Sequence, residues 1–230
     1  MDCSLFWDEK ATQRFPSLLV CLGIIGNVNV TRSNEKIKAL RNSVTEGVKR
    51  KYNIEVLKDN LTVRAYRDLF WRLDIDPTKT RPSGEALLRR VLHGEEIPVI
   101  CSVVDAYNLA SLMTIIPLSG FDLDKIALPL HVRFSKPSEE FQGIGMQTPM
   151  RLDAKMLLLT DKNQILCIYP HRDADATKIT VNTKNVLIVG YGAPNISKSQ
   201  LSKAVETALS YIKRVAGGSV EQAKVYAATS

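Results

Sequence analysis

The densest group of charged and turn-forming residues lies at positions 76–85, which read DPTKTRPSGE. Two prolines alternate there with charged residues, and Ser83 can cap a helix that begins after the second proline. A rigid loop before a helix N-terminus presents backbone N–H groups to an anion or a carbonyl oxygen. We therefore predict that Arg81 contacts such a group and that Glu85 faces the same space. The alternative is a structural corner held by salt bridges.

A carboxylate and a carboxamide, Asp105 and Asn108, stand three positions apart among apolar residues. This spacing places both side chains on one face of a helix. Buried polar side chains need partners, which can be backbone groups in the core or the ammonium group of a ligand. Both interpretations remain open, and these two residues join Glu85 as candidate catalytic residues.

A third polar cluster covers positions 171–178, which read HRDADATK between two predicted strands. Charged turns of this kind are common on protein surfaces. The cluster contains one of three histidines, none of which follows a nucleophile-elbow pattern such as GxSxG. The four cysteines lack CxxC spacing, so we expect reduced, buried thiols and neither a metal site nor a cofactor.

The charge balance suggests a polyanionic partner. The sequence carries 31 basic and 24 acidic side chains, a net charge of +7, which attracts nucleic acid by long-range steering. Many proteins of similar charge bind no nucleic acid, so charge alone does not decide the point. The sequence has no apolar run of the roughly 20 residues that a membrane helix needs, and its start lacks a basic signal-peptide opening. We expect a cytoplasmic protein without membrane contact.

The elements that must position the first two clusters are helices in the first half of the chain, and one further helix is predicted near its end. Apolar residues at helical spacing, with capping residues, predict helices at 34–51, 66–76, 83–94, 102–114 and 197–217. In the third, Ala86, Leu87 and Val91 are expected to face the core. In the last, Ser197 and Gln200 form a predicted capping box.

Strands are predicted mainly in the second half. The wholly apolar segment 18–25 suits a central strand, and strict alternation from Ile126 to Phe134 indicates another, at a sheet edge because it contains Pro129. Further strands are predicted at 156–160, 165–168 and 178–190. This order predicts an α+β fold with one domain over residues 1–217 and a separate C-terminal tail over 218–230.

Four segments, taken in order, resemble the editing module of the phenylalanyl-tRNA synthetase beta chain, and more closely the free-standing proteins built from that module. They read FPSLLV, AYRDLFWRLDIDPTKTRPSGEALLRRVLHGEEIP, ICSVVDAYNLASLMTIIPLSGFDLDKI and YPHRDADATKITVNTKNVLIV, within about residues 5–212. The resemblance implies a β-sandwich-like core with helices around it. It also implies hydrolysis of wrongly charged tRNA, acting in trans because 230 residues leave no room for an aminoacylation core.

The resemblance places Ser119 where the synthetase has a pocket histidine and Val189 near the position of a glutamate associated with the tyrosine hydroxyl. Asp105, Asn108 and Asp122 fit the family pattern. Selectivity for tyrosine is therefore not expected.

The resulting hypothesis is a deacylase for aminoacyl-tRNA that needs no covalent nucleophile. In it, Asp105 or Glu85 holds the ammonium group of the amino acid, while Asn108 and Arg81 orient the carbonyl and the terminal ribose.

The substrate-binding set further includes Ser119, Asp122, Arg172 and Asp173. It requires the polar stretches near positions 81, 105 and 172 to face one cavity. The alternative is a non-catalytic module that binds tRNA or an amino acid in the same cleft.

Overall fold

The computed structural model describes residues 3–229. Its helices are α1 (Glu9–Arg14), α2 (Glu35–Lys51), α3 (Leu61–Arg72), α4 (Ser83–Leu92), α5 (Ser102–Thr114) and α6 (Lys198–Ala216). Short 3-10 turns cover Leu57–Asp59 and Leu123–Lys125. Among the described residues, no helix is long and apolar enough to cross a lipid bilayer.

The strands form two five-stranded sheets and one small pair. Sheet A has the order β1-β4-β7-β8-β9, with β1 (Leu5–Trp7), β4 (Leu130–Phe134), β7 (Leu157–Thr160), β8 (Ile165–Ile168) and β9 (Arg172–Asp173). Sheet B has the order β11-β2-β10-β3, and β12 also pairs with β2. Its strands are β2 (Leu19–Gly26), β3 (Leu118–Asp122), β10 (Val186–Tyr191), β11 (Ser219–Val220) and β12 (Lys224–Ala227). The small pair joins β5 (Glu140–Phe141) to β6 (Met150–Arg151). The predicted α+β class is confirmed.

Helix α6 packs on one face of sheet B because two glycines let it approach. A methyl group at Gly23 or Gly190 would stand 2.7 Å from the side chain of Val205. The predicted capping box of Ser197 and Gln200 starts this helix, and Gly217 ends it. The two strands after Gly217 pair with β2, so the predicted C-terminal tail contributes to sheet B.

Two local predictions about burial and strand position are wrong. Helix α4 buries Gly84, Glu85, Leu88 and Val91, and leaves Ala86 exposed. The reason is that Gly84 lies against the backbone of Ile115, which turns Glu85 inward.

Pro129 does not mark an edge strand. Strand β4 begins one residue later and runs between β1 and β7, so the missing N–H of proline falls outside the hydrogen-bonded ladder. The predicted strand at 178–190 is also shorter than expected. The backbone turns between Thr180 and Thr183, and only Val186–Tyr191 is extended in the sheet.

Candidate functional site

The two sheets meet where the edge strand of each comes close to the other. Ser119 lies on β3, an edge of sheet B, and Asp173 lies on β9, an edge of sheet A. The hydroxyl of Ser119 donates a hydrogen bond of 2.7 Å to Oδ1 of Asp173. The backbone continues this junction, because the amide of Asp122 donates to the carbonyl of Thr177. Two of the predicted site residues are therefore in direct contact.

Val189 is the cross-strand partner of Ser119 between β10 and β3. Side chains of directly opposed residues share one face of a sheet. On the opposite face, Gly120 packs against the ring of Tyr107 from α5. The two positions at which this sequence differs from the synthetase pattern are thus neighbours, and both lie on the side of sheet B that faces Asp173.

The carboxyl group of Asp173 lies in an environment that disfavours its charge. Burial raises the pKa of Asp173 to about 6, and the hydrogen bond from Ser119 offsets part of that effect. Cys167 is its cross-strand partner in sheet A and is fully buried. Burial likewise raises the pKa of the Cys167 thiol well above its usual range, so this cysteine is protonated and behaves as a small apolar residue.

Tyr191 completes the junction and was not identified from the sequence. Burial raises the pKa of its phenol well above the usual range, and the nearby Cys167 and Asp173 add to this effect. Its buried hydroxyl lies close to Ser119 and Cys167 but forms no hydrogen bond of normal geometry with any of residues 3–229. A buried hydroxyl in this state can donate to a bound water or to a substrate oxygen. The partners of Tyr191 are remote in sequence, so no local pattern could have revealed it.

Glu85 is held inside the protein by two arginines. Arg67 donates to both of its carboxylate oxygens, at 2.8 and 2.5 Å, and Arg89 adds a third hydrogen bond of 2.6 Å. Burial alone would raise the pKa of Glu85, but the hydrogen bonds from Arg67 and Arg89 outweigh it, and the pKa is lowered. With 1% of the residue exposed, this geometry favours the structural corner over contact with a substrate.

The carboxylate of Asp105 is likewise held by hydrogen bonds from other parts of the protein. It accepts a hydrogen bond of 2.7 Å from Arg41 on α2 and one of 2.9 Å from the amide of Ile100. Burial raises its pKa, and these two donors offset only part of the effect. Asp105 therefore joins α2 to the start of α5 and has 1% of its surface exposed. Asn108, one turn later on α5, is half-buried, and its role remains a prediction.

Asp122 is a structural anchor for the turn before β10. Its carboxylate accepts a hydrogen bond of 2.8 Å from the hydroxyl of Thr183 and lies 3.7 Å from the ammonium of Lys125. It also caps the short turn that follows β3 through the amide of Asp124.

Arg81 and Arg172 line separate clefts. Arg81 borders a cleft of about 440 Å³ on the outer side of α4, together with Arg90 and His93. Arg172 borders a cleft of about 620 Å³ next to Tyr169. Asp105 lines neither cleft. The prediction that the three polar stretches share one cavity is therefore wrong for these clefts, because Asp105 is enclosed between helices and the two arginines lie apart.

Comparison with known proteins identifies relatives over most of the chain. Residues 65–228 match a protein family described as the B3/4 domain. The phenylalanine-tRNA ligase beta subunit of Francisella tularensis subsp. tularensis is 33% identical over 85 residues, which is 37% of this chain and 11% of that protein. The corresponding subunit of Haemophilus ducreyi is 27% identical over 86 residues, again 37% of this chain and 11% of that protein.

A solved structure has a similar fold. An N-terminal fragment of the phenylalanyl-tRNA synthetase beta-subunit from Pyrococcus horikoshii matches with a TM-score of 0.53 and 16% sequence identity. The match covers 96% of this chain and 50% of that chain. At this identity the likeness concerns the fold alone.

Proposed function

Because this chain belongs to the B3/4 domain family and is a tRNA-synthetase-related module, we propose that it hydrolyses the ester of an aminoacyl-tRNA in trans. The reacting site in this proposal is the junction of Ser119, Asp173 and Tyr191. The observation that carries it is the direct contact between Ser119 and a carboxyl group whose pKa is raised to about 6.

The chemistry of the substrate makes such a site sufficient. An aminoacyl ester is already activated, so its hydrolysis needs a positioned water, a base and a donor for the developing oxyanion. A carboxylate with a pKa of about 6 is mostly ionised at neutral pH and is a better base than an ordinary aspartate. In our proposal Asp173 takes a proton from the water that attacks the ester carbonyl carbon, while the hydroxyl of Tyr191 donates to the carbonyl oxygen. Asp173 then returns the proton to the ribose oxygen as the ester C–O bond breaks, and Ser119 fixes the orientation of the carboxylate.

The remaining predicted residues take supporting roles in this proposal. In place of the catalytic role suggested by the sequence, Glu85 joins α4 to α3, and Asp105 joins α2 to α5, which packs against β3. The net charge of +7 and the arginine-lined cleft at Arg81 favour contact with the phosphates of the RNA. Asn108 remains a candidate for contact with the terminal ribose. Val189 offers no polar group beside Ser119, so we expect no preference for tyrosine over phenylalanine.

The test uses the purified chain with a panel of aminoacyl-tRNAs, both correctly and wrongly charged. Release of amino acid from at least one member is expected without any synthetase present. Asp173→Asn keeps the acceptor for Ser119 but removes the base, so the rate should fall by about 100-fold or more. Asp68→Asn, an exposed carboxylate of α3, is the matched control and should leave the rate unchanged.

An undiminished rate in Asp173→Asn would refute the assignment of the base.

The second candidate function is a non-catalytic module that binds tRNA or an amino acid. This function is favoured because Glu85 and Asp105 are both paired with arginines, so fewer carboxylates are free to act in catalysis. Retarded migration of tRNA in a gel, without release of amino acid from any panel member, would support this alternative.

A further inference from the structure

The cleft next to Arg172 is chemically distinct from the junction of the two sheets. Successive side chains of a strand point to opposite faces, so Arg172 points away from the face on which Asp173 meets Ser119. The cleft lies between the C-terminal end of α3, the β6–β7 segment and the turn between β8 and β9. Its volume, about 620 Å³, falls within the range of small-molecule sites.

The floor of this cleft is apolar and adaptable. Three methionines, Met146, Met150 and Met156, line it together with Leu73 and Ile168. All three methionines are half-buried. Methionine side chains are flexible and polarisable, so they fit apolar bodies of different shapes.

The wall of the same cleft carries charges of both signs. Arg172 and Lys155 are cationic, and Asp74 and Asp153 are anionic. Within the described part of the chain, none of these four side chains takes part in an ion pair or a side-chain hydrogen bond. All four charged residues are exposed at the border of the cleft and do not pair with one another, so a ligand that carries both charges can bridge them.

Asp74 is held in this position by an unusual backbone conformation. It has a φ of 60°, in the left-handed region, directly after the end of α3. The amide of Ile75 donates back to the carbonyl of Phe70, which closes the helix end in the way that a glycine normally allows. The negative end of the helix dipole adds to the charge of Asp74, and both attract a cation.

Arg172 is positioned by a contact with a glycine. A methyl group at Gly143 would stand 2.5 Å from Cδ of Arg172, so the arginine stem lies directly on this residue. The loop that contains Gly143 also supplies Met146, whose sulfur accepts a hydrogen bond from the Gly143 amide. The cationic wall and part of the apolar floor are therefore built by one loop.

We propose that this cleft binds a zwitterion with an apolar body, either an apolar amino acid or a short apolar peptide. The ligand ammonium lies at the acidic wall formed by Asp74 and Asp153. Its carboxylate lies at Arg172 and Lys155, and its side chains rest on the methionines. This site does not depend on ester hydrolysis at Ser119 and Asp173.

Titration calorimetry with the whole chain tests the proposal. The ligands are L-phenylalanine, the dipeptide Phe-Met, phenylalaninamide, which lacks the carboxylate, and N-acetylphenylalanine, which lacks the ammonium. We expect at least one zwitterion to bind about 10-fold or more tightly than either blocked compound. Preference for the dipeptide identifies a peptide site, and equal or better binding of phenylalanine identifies an amino-acid site.

Two variants test which residue contacts each charged group of the ligand. Asp74→Asn removes the negative charge and tolerates a positive φ, because asparagine adopts the left-handed region readily. It should weaken binding of the zwitterion about 10-fold and leave that of N-acetylphenylalanine unchanged. Arg172→Gln should weaken the zwitterion similarly and leave phenylalaninamide unchanged. Asp68→Asn and Arg64→Gln, exposed positions of α3 outside the cleft, are the matched controls.

Three results would overturn the proposal: no binding of either zwitterion up to about 10 mM, binding of N-acetylphenylalanine as tight as that of phenylalanine, or an Asp74→Asn variant that binds like the wild type. Deacylation by the Asp74→Asn variant is expected to equal that of the wild type. A failure of this site is therefore distinguishable from a failure of the proposed hydrolysis.

Discussion

Replacing Asp173 with asparagine should make the fold more stable at neutral pH while lowering the proposed deacylation rate by about 100-fold or more. Burial raises the pKa of Asp173 from the ordinary aspartate value of 3.8 to about 6. This difference between the two pKa values corresponds to at most about 3 kcal/mol of pH-dependent free energy of unfolding. Asparagine keeps an acceptor for the hydroxyl of Ser119 and carries no charge, so the variant avoids this cost.

The direction of the pH dependence follows from the raised pKa. Between pH values of about 4 and about 6 the folded state binds more protons at Asp173 than the unfolded state does, so stability falls as the pH rises. Below about pH 4 both states are protonated, and above about pH 7 both are ionised. The wild type should therefore lose stability relative to Asp173→Asn across the interval from about pH 4 to about pH 6, and the difference should be constant above it.

Urea unfolding of both proteins at a series of pH values measures this difference directly. Glu85 and Asp105 titrate in both proteins, so their contributions cancel in the comparison. Asp68→Asn provides the control, because this exposed side chain should show no such pH-dependent gain. A stability difference between wild type and Asp173→Asn that does not change with pH would refute the inference that the junction holds a destabilised carboxylate.

Two further changes test the elements that support the site. Glu85→Gln leaves two arginines without their buried carboxylate partner, and urea unfolding should show a loss of about 3 kcal/mol; a loss near zero would contradict the structural role assigned to Glu85. Gly84→Ala places a methyl group 2.6 Å from the backbone of Ile115 and should cost about 2 kcal/mol by the same measurement, whereas Gly47→Ala, with open space around it, should be neutral or stabilising.

The regular elements were predictable because their signals are local. Helix α5 spans the predicted residues 102–114, and the capping box of α6 involves the predicted Ser197 and Gln200. The apolar run at 18–25 became the central strand β2. In each case the signal is a periodicity of apolar residues or a capping pattern that spans only neighbouring positions. Tertiary contacts therefore did not change the secondary structure that the local sequence favours.

Most partners of the charged residues were not predictable, because they come from distant positions; the exception is Arg89, which stands four positions after Glu85 on the same helix. Asp105 was expected to be a polar group among apolar residues, and a salt-bridged corner was one of the two interpretations of Glu85, but nothing near them in sequence points to Arg41 or Arg67 as partners. The contact of Ser119 with Asp173 joins residues 54 positions apart on different sheets. A single sequence carries no periodic signal for such a pair, and only the resemblance brought Ser119 forward.

The register of sheet B places the two departures from the synthetase pattern, Ser119 and Val189, side by side, so together they change the chemistry of one site. Ser119 and Val189 are cross-strand partners, so a short hydroxyl and an apolar side chain occupy adjacent positions on the face toward Asp173. Neither can act as a base at neutral pH, which leaves Asp173 as the titratable group of this junction with a pKa near the working range. Its ionised form would cost stability at the pH where it would accept a proton. A half-buried carboxylate that only held the sheets together could be replaced by asparagine without functional loss. Stability and deacylation measured on the same Asp173→Asn variant therefore separate a structural role from a catalytic one.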